Sequence, residues 1–163
     1  IDMIIYNRGI GGFITDELLE NIDTCILDLK PSKLFINIGT NDLSNPDITI
    51  AQMVDHYDQI LCQVKAALPD VKLYLMAYYP VNYDAATEEM EPCLLVRTNP
   101  KIAEANAAVK KLAEKYHAKY MDINDPLKDE NGNLKAEYTI EGMHIKEEGY
   151  RAIFPKFIRY AME

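Results

Sequence analysis

No stretch of the sequence stays apolar for the ~20 residues that a bilayer-crossing helix requires, so no membrane span is expected. Clusters of lysine and arginine are also missing. The chain has 17 Lys and Arg against 26 Asp and Glu, a formal net charge of −9. Phosphate backbones are held by clustered cations, so this balance speaks against a nucleic-acid partner. Cysteine is scarce: Cys25, Cys62 and Cys93 are odd in number and widely spaced. None falls in a CxxC or Cys/His spacing, so no metal site is expected. Cys25 and Cys62 lie within apolar helical patterns and read as small buried hydrophobes, which fits a reducing, cytoplasmic setting. Serine is scarcer still, with Ser32 and Ser44 alone. Neither GxGxxG nor GxxxxGK[ST] occurs, so nothing implies a nucleotide or other organic cofactor. Without an internal repeat, a low-complexity segment or a linker, the 163 residues read as a single domain, 1–163.

What is present is an alternation of short apolar runs and amphipathic helices. Ile1 to Tyr6 (IDMIIY) is a strand-like run that ends at a glycine-rich turn. Thr15 is placed to cap a helix whose stripe is Leu18, Leu19, Ile22, Cys25, Ile26 and Leu29, ended by Pro31. Leu34 to Ile38 is a second strand, stopped by Gly39. A second helix follows, with Ile50, Met53, Tyr57, Ile60, Leu61, Val64 and Leu68 on its inner face. Val71 to Tyr78 is a third strand. Val81 to Thr98 has no clear period and reads as a long irregular loop, a length often used for lids or binding loops. Asn99-Pro100 opens another helix as a cap and first-turn proline. Lys119 to Asp122 is a short fourth strand. A last helix starts near Lys146, with Tyr150, Ile153, Phe154, Phe157 and Ile158 as its face and Pro155 as a kink. Strands alternating with helices of this length predict an α/β fold. The expected form is a three-layer α/β/α sandwich on a parallel sheet, flavodoxin-like in order. Ligands of such folds sit beyond the carboxyl ends of the strands, and the unusual loops all fall there.

Three of those loops carry chemistry. Asn7-Arg8-Gly9-Ile10-Gly11-Gly12 offers backbone N–H groups to an anion ahead of a helix; the plainer alternative is a tight strand-to-helix turn. Gly39-Thr40-Asn41-Asp42 places an amide donor at a strand end. Such a donor can hold an oxyanion, and its plainer alternative is a turn that caps the next helix. In Glu141-Gly142-Met143-His144 a carboxylate lies three residues before a histidine, the pairing that orients a general base. His56 and His117 sit on helical surfaces and call for no function.

In this order and at this spacing the loops resemble the SGNH (GDSL-like) hydrolases, a family of serine esterases and lipases. The resemblance runs nearly the whole length of the chain. It implies that Gly12 N–H and Asn41 form an oxyanion hole and that His144 is the general base, with Glu141 as its acid. Asn7, Gly39 and Asp42 would support them. Pro80-Val81-Asn82 and Arg97-Thr98-Asn99-Pro100 are similar to the bacterial acylhydrolase branch, which includes relatives of platelet-activating-factor acetylhydrolases and carbohydrate acetylesterases. The implied reaction is hydrolysis of a small-molecule ester carrying a small acyl or acetyl group, without metal or organic cofactor.

Two features depart from the family pattern. The usual acid is Asp, so Asp125 or a backbone carbonyl is an alternative partner for His144. The usual serine lies in a GDS block on the first strand, ahead of the NRGIGG loop, and only six residues precede Asn7 here. Ser32 is at the wrong end of the sheet, and Ser44 lies at the right edge but on the loop of the Asn41 block. The reading is therefore of an N-terminally incomplete domain whose first, central strand and nucleophile are absent. A homodimer filling the gap by strand exchange is the lesser alternative. The functional rival is a catalytically inactive carbohydrate- or partner-binding domain of the same fold. A flavodoxin-like nucleotide binder is a third reading, disfavoured by the lack of a phosphate loop.

Overall fold

The structure, a computed structural model, describes residues 3–163. Three parallel strands form the sheet in the order β1 (Lys33–Ile36), β2 (Lys72–Met76), β3 (Lys119–Met121). Phe35 pairs with Tyr74, and Tyr74 in turn with Lys119. Helices cover both faces, which gives the three-layer α/β/α arrangement. The pleat divides β2 between two cores, because successive strand side chains point to opposite faces. Leu73 and Leu75 join the larger core, with α1 (Thr15–Glu20), α2 (Ile22–Cys25), α4 (Ile50–Ala67) and α6 (Asn99–Lys115). Tyr74 and Met76 join the smaller one, under α7 (Glu147–Met162). There Phe35 stacks on Tyr74 at 4.4 Å between ring centroids, and Phe157 closes on Phe35 at 5.1 Å.

The middle helices form as their sequences dictate. Thr49 caps α4, accepting from Gln52 N–H while the Gln52 amide accepts from Thr49 N–H, a reciprocal capping box. Met53, Tyr57, Ile60, Leu61 and Val64 then recur at helical spacing and are fully buried. That same phase turns Cys62 outward, so it is exposed rather than a buried hydrophobe, and Cys25 is only half-buried. Thr98, one residue earlier than expected, caps α6 by accepting from Lys101 N–H. This frees Asn99 to pair with both backbone groups of Val81, its Oδ1 accepting from Val81 N–H and its Nδ2 donating to Val81 O, each at 2.9 Å.

Several expectations fail for local reasons. The strand expected over Ile1–Tyr6 does not form in its described part, and Ile1 and Asp2 lie outside the described residues. Met3–Tyr6 pairs with no strand among the described residues, and its side chains are exposed. A strand without a partner leaves its N–H and C=O groups to water, so an apolar run alone does not make one. The helix expected from Thr15 to Leu29 breaks at Asn21, whose side chain donates to Glu17 O and closes α1. Thr15 is the first helical residue rather than the cap, and Glu17 accepts from Ile14 N–H. The stretch 81–98 is ordered. It holds a 3₁₀ turn at Tyr83–Ala85 and the helix α5 (Glu91–Val96), with Val81, Asn82, Leu94 and Arg97 buried. Pro92 sits in the first turn of α5, where its missing N–H costs nothing. In α7, Ile153 faces the core while Tyr150 and Phe154 are exposed, which shifts the expected inner face towards Gly149, Ile153 and Phe157.

Candidate active site

The site lies beyond the carboxyl ends of the strands and begins with the turn after β1. Gly39 has φ +115°, open to glycine and strained for other residues. A Cβ there would meet Tyr78 Oη and, at 2.8 Å, Met53 Sδ. Glycine thus lets the chain turn tightly over the core into a single helical turn, α3 (Thr40–Leu43). Asp42 is almost wholly buried and points back across this turn. It accepts from Thr15 N–H at 3.0 Å and from Thr15 Oγ1–H at 2.6 Å. A carboxylate beside the first N–H groups of a helix is favoured electrostatically. Asp42 therefore caps the preceding α1, not a following helix. The effect is to tie the NRGIGG loop to the Asn41 turn.

Asn41 makes the second tie. Its Nδ2 donates to Phe13 O at 2.9 Å, which leaves one amide N–H uncommitted. Gly12, one residue before Phe13, takes φ +81°. Asn7 folds its own loop by accepting from Gly9 N–H at 2.9 Å.

The third loop is held by three contacts. A bridge between Thr139 and Ile145 pinches its ends together. Thr139 Oγ1 accepts from Gly142 N–H, and Gly142 O accepts from Asn82 N–H at 2.8 Å. Gly142 has φ +89° and lies so close to Asn82 O that a Cβ does not fit. On this frame Glu141 accepts from Met143 N–H (3.1 Å) and His144 N–H (2.5 Å) through one carboxylate oxygen. The other oxygen lies 2.9 Å from His144 Nδ1. Partial burial raises the Glu141 pKa, and the three N–H groups from His144 and Met143 outweigh it, so the net direction is downward. An ionised carboxylate can only accept. Nδ1 therefore carries the proton towards Glu141, and Nε2 is left as the basic nitrogen. The extra methylene of Glu is put to use: one oxygen secures the turn while the other reaches the ring.

Asp125 takes no part in this, since it faces Lys156 at 3.5 Å. Ser44 Oγ is engaged, accepting from Arg97 Nη1 at 3.2 Å and lying 3.4 Å from Thr40 O. Ser32 precedes β1 at the opposite end of the sheet.

His144 and Asn41 line one cavity of about 190 Å³, together with Asn37, Thr40, Tyr79, Arg97, Met143, Ile145 and Tyr150. Gly12 is tethered nearby but is not part of that lining. A larger cleft of about 580 Å³ lies at the amino ends of β2 and β3, around His117, Lys119 and Glu163, away from all three loops. Sequence reasoning did not single out Tyr79, Tyr150 or Arg97 as site residues. Tyr79 and Tyr150 meet edge to face at 6.4 Å between centroids and wall the cavity. The one signal in the sequence was Arg97 directly before the Thr98-Asn99-Pro100 helix start.

Known proteins share the fold and the family pattern of this chain. A protein from Streptococcus pneumonia, named for platelet activating factor, is 33% identical with a TM-score of 0.87, covering 98% of this chain and 73% of its own. An acetylxylan esterase from Geobacillus stearothermophilus shares the fold at 17% identity and a TM-score of 0.73, over 94% of this chain and 69% of its own. Among curated proteins, the N-acylneuraminate cytidylyltransferase of Escherichia coli O18:K1:H7 is 26% identical over 153 residues, 93% of this chain. The chain spans about a third of that relative, 34% of its length. Residues 2–152 match the GDSL-like Lipase/Acylhydrolase family, and the chain therefore belongs to that family.

Proposed function

We propose that this chain carries the general base and oxyanion-binding groups of a serine ester hydrolase acting on a small acyl or acetyl ester. The observation that carries this is the Glu141–His144 pair at 2.9 Å, sharing a cavity of about 190 Å³ with Asn41. The nucleophile of the reading is a serine outside these 163 residues, because Ser44 is bonded to Arg97 and Ser32 is remote. The Geobacillus esterase supports a serine and histidine pair, since its catalytic mutants replace one of each with alanine.

In this mechanism His144 Nε2 removes the serine proton as the oxygen attacks the ester carbonyl, and Glu141 stabilises the imidazolium that forms. Gly12 N–H and the uncommitted Asn41 N–H hold the tetrahedral oxyanion. One such donor contributes about 3–4 kcal/mol to the transition state. The imidazolium then protonates the departing alcohol. Water, activated by the same His144, releases the acid from the acyl-enzyme.

Hydrolysis of p-nitrophenyl acetate tests the proposal, with this polypeptide and with the reading frame extended upstream of Ile1. The expected result is activity in the extended chain that falls at least 10³-fold in His144→Ala, the scale on which triad members act. No activity in either chain would support the inactive binding domain instead.

A further inference from the structure

Arg97 is 6% exposed, an unusual degree of burial for a guanidinium. Its Nη1 donates to Thr40 O and Ser44 Oγ, both at 3.2 Å. No carboxylate pairs with it among the described residues. Glu141 exerts a field on it but is already taken by Met143 and His144. The Nε and Nη2 donors have no protein partner among the described residues. They are not sealed off either, because the buried side-chain atoms found there without a partner are Tyr57 Oη and Asn124 Oδ1. Arg97 lines a cavity with Asn41 and His144. A buried cation lacking a counter-charge is costly. Here it is retained in the wall of the candidate active site, with the Nε/Nη2 edge of the fork unspent. That edge offers two parallel N–H groups, the arrangement that grips a carboxylate bidentately.

We propose that Arg97 binds a carboxylate carried by the ester substrate, so that this site selects acylated hydroxy acids over neutral esters. The inference rests on the hydrolase reading above for the location of the ester, but the binding it describes needs no turnover. Nη1 fixes the guanidinium to the Asn41 turn, and the charge-assisted pair then sets the substrate's position relative to the oxyanion donors and His144.

The test is binding of 2-acetoxypropionate and of its neutral amide, 2-acetoxypropionamide, to the 163-residue chain at constant ionic strength. ¹H–¹⁵N NMR follows the Arg97 Nε–Hε signal and the His144 ring. The acid is expected to bind at least tenfold more tightly than the amide, with both signals shifting together. The preference should vanish in Arg97→Gln and weaken in Arg97→Lys, which keeps a cation near Thr40 O but loses the fork. Should Arg97→Gln not fold, the wild-type discrimination and the Nε–Hε shift decide alone. Equal binding of acid and amide, no binding of the acid, a silent Arg97 signal, or a preference that persists in the folded variants overturns the proposal. So does tighter binding of 2-acetoxyethyl phosphate, which would make the site a phosphate site. Each of these outcomes is independent of the p-nitrophenyl acetate result.

Discussion

Asp42→Ala is the substitution that tests most directly how the site is assembled. Asp42 is 1% exposed and accepts from Thr15 N–H at 3.0 Å and Thr15 Oγ1–H at 2.6 Å. Hydrogen bonds to a charged group contribute about 1.5–3 kcal/mol each, so two would sum to about 3–6 kcal/mol. Removing the carboxylate also removes its desolvation cost, which offsets part of that sum. Thr15 N–H is then left buried without an acceptor, a cost of about 1–3 kcal/mol. A net loss of about 3 kcal/mol is expected, a large share of the ~5–15 kcal/mol that stabilises a domain. Asp42→Asn keeps an acceptor and should lose less, about 1–2 kcal/mol. Urea unfolding followed by circular dichroism gives the free energies, and hydrogen exchange at Thr15 and at Phe13, whose N–H donates to Ile10 O, gives the local effect. Both amides should lose protection in Asp42→Ala before the sheet unfolds, because Asp42 ties α1 and its loop to the Asn41 turn. A loss below about 1 kcal/mol, or unchanged exchange at both amides, would refute the assignment of Asp42 as the clamp.

Two further outcomes follow from single contacts. Gly142→Ala should destabilise by roughly 1–3 kcal/mol and loosen the Glu141–His144 loop, because φ +89° and the approach to Asn82 O leave no place for a methyl group; the His144 Nδ1 proton signal should broaden, and a sharp, unshifted signal would contradict this. Tyr57→Phe should be neutral or stabilising by about 1 kcal/mol, since the Tyr57 hydroxyl is buried without a partner; a loss above about 1 kcal/mol in thermal unfolding would mean that the hydroxyl has one.

The ordered 81–98 segment and the failed strand at Met3–Tyr6 mark the limits of reading from sequence. Periodicity found α4 and α6 because their apolar residues recur through four or more turns and all meet one core. The six residues of α5 carry too few turns to show a period. Met3–Tyr6 has the composition of a strand, but strand formation depends on a partner that composition does not reveal. Glu141 was legible as the partner of His144 because both lie on one short loop. Arg97 was not legible as a site residue, since Thr40 and Ser44, which hold it, are more than fifty positions away.

The sequence by itself determined the α/β class, the parallel arrangement and the three loops that meet at one edge. These follow from local periodicity, glycine at strand ends and a carboxylate within reach of its own histidine. Only the tertiary structure decided what each group is tied to. Asp42 caps a helix 27 residues earlier in the chain, Asn41 holds the loop of Gly12 through Phe13, and Arg97 is buried in the cavity wall beside His144. Those ties are long-range hydrogen bonds and burial, which the packing of distant segments creates and no local pattern of residues encodes.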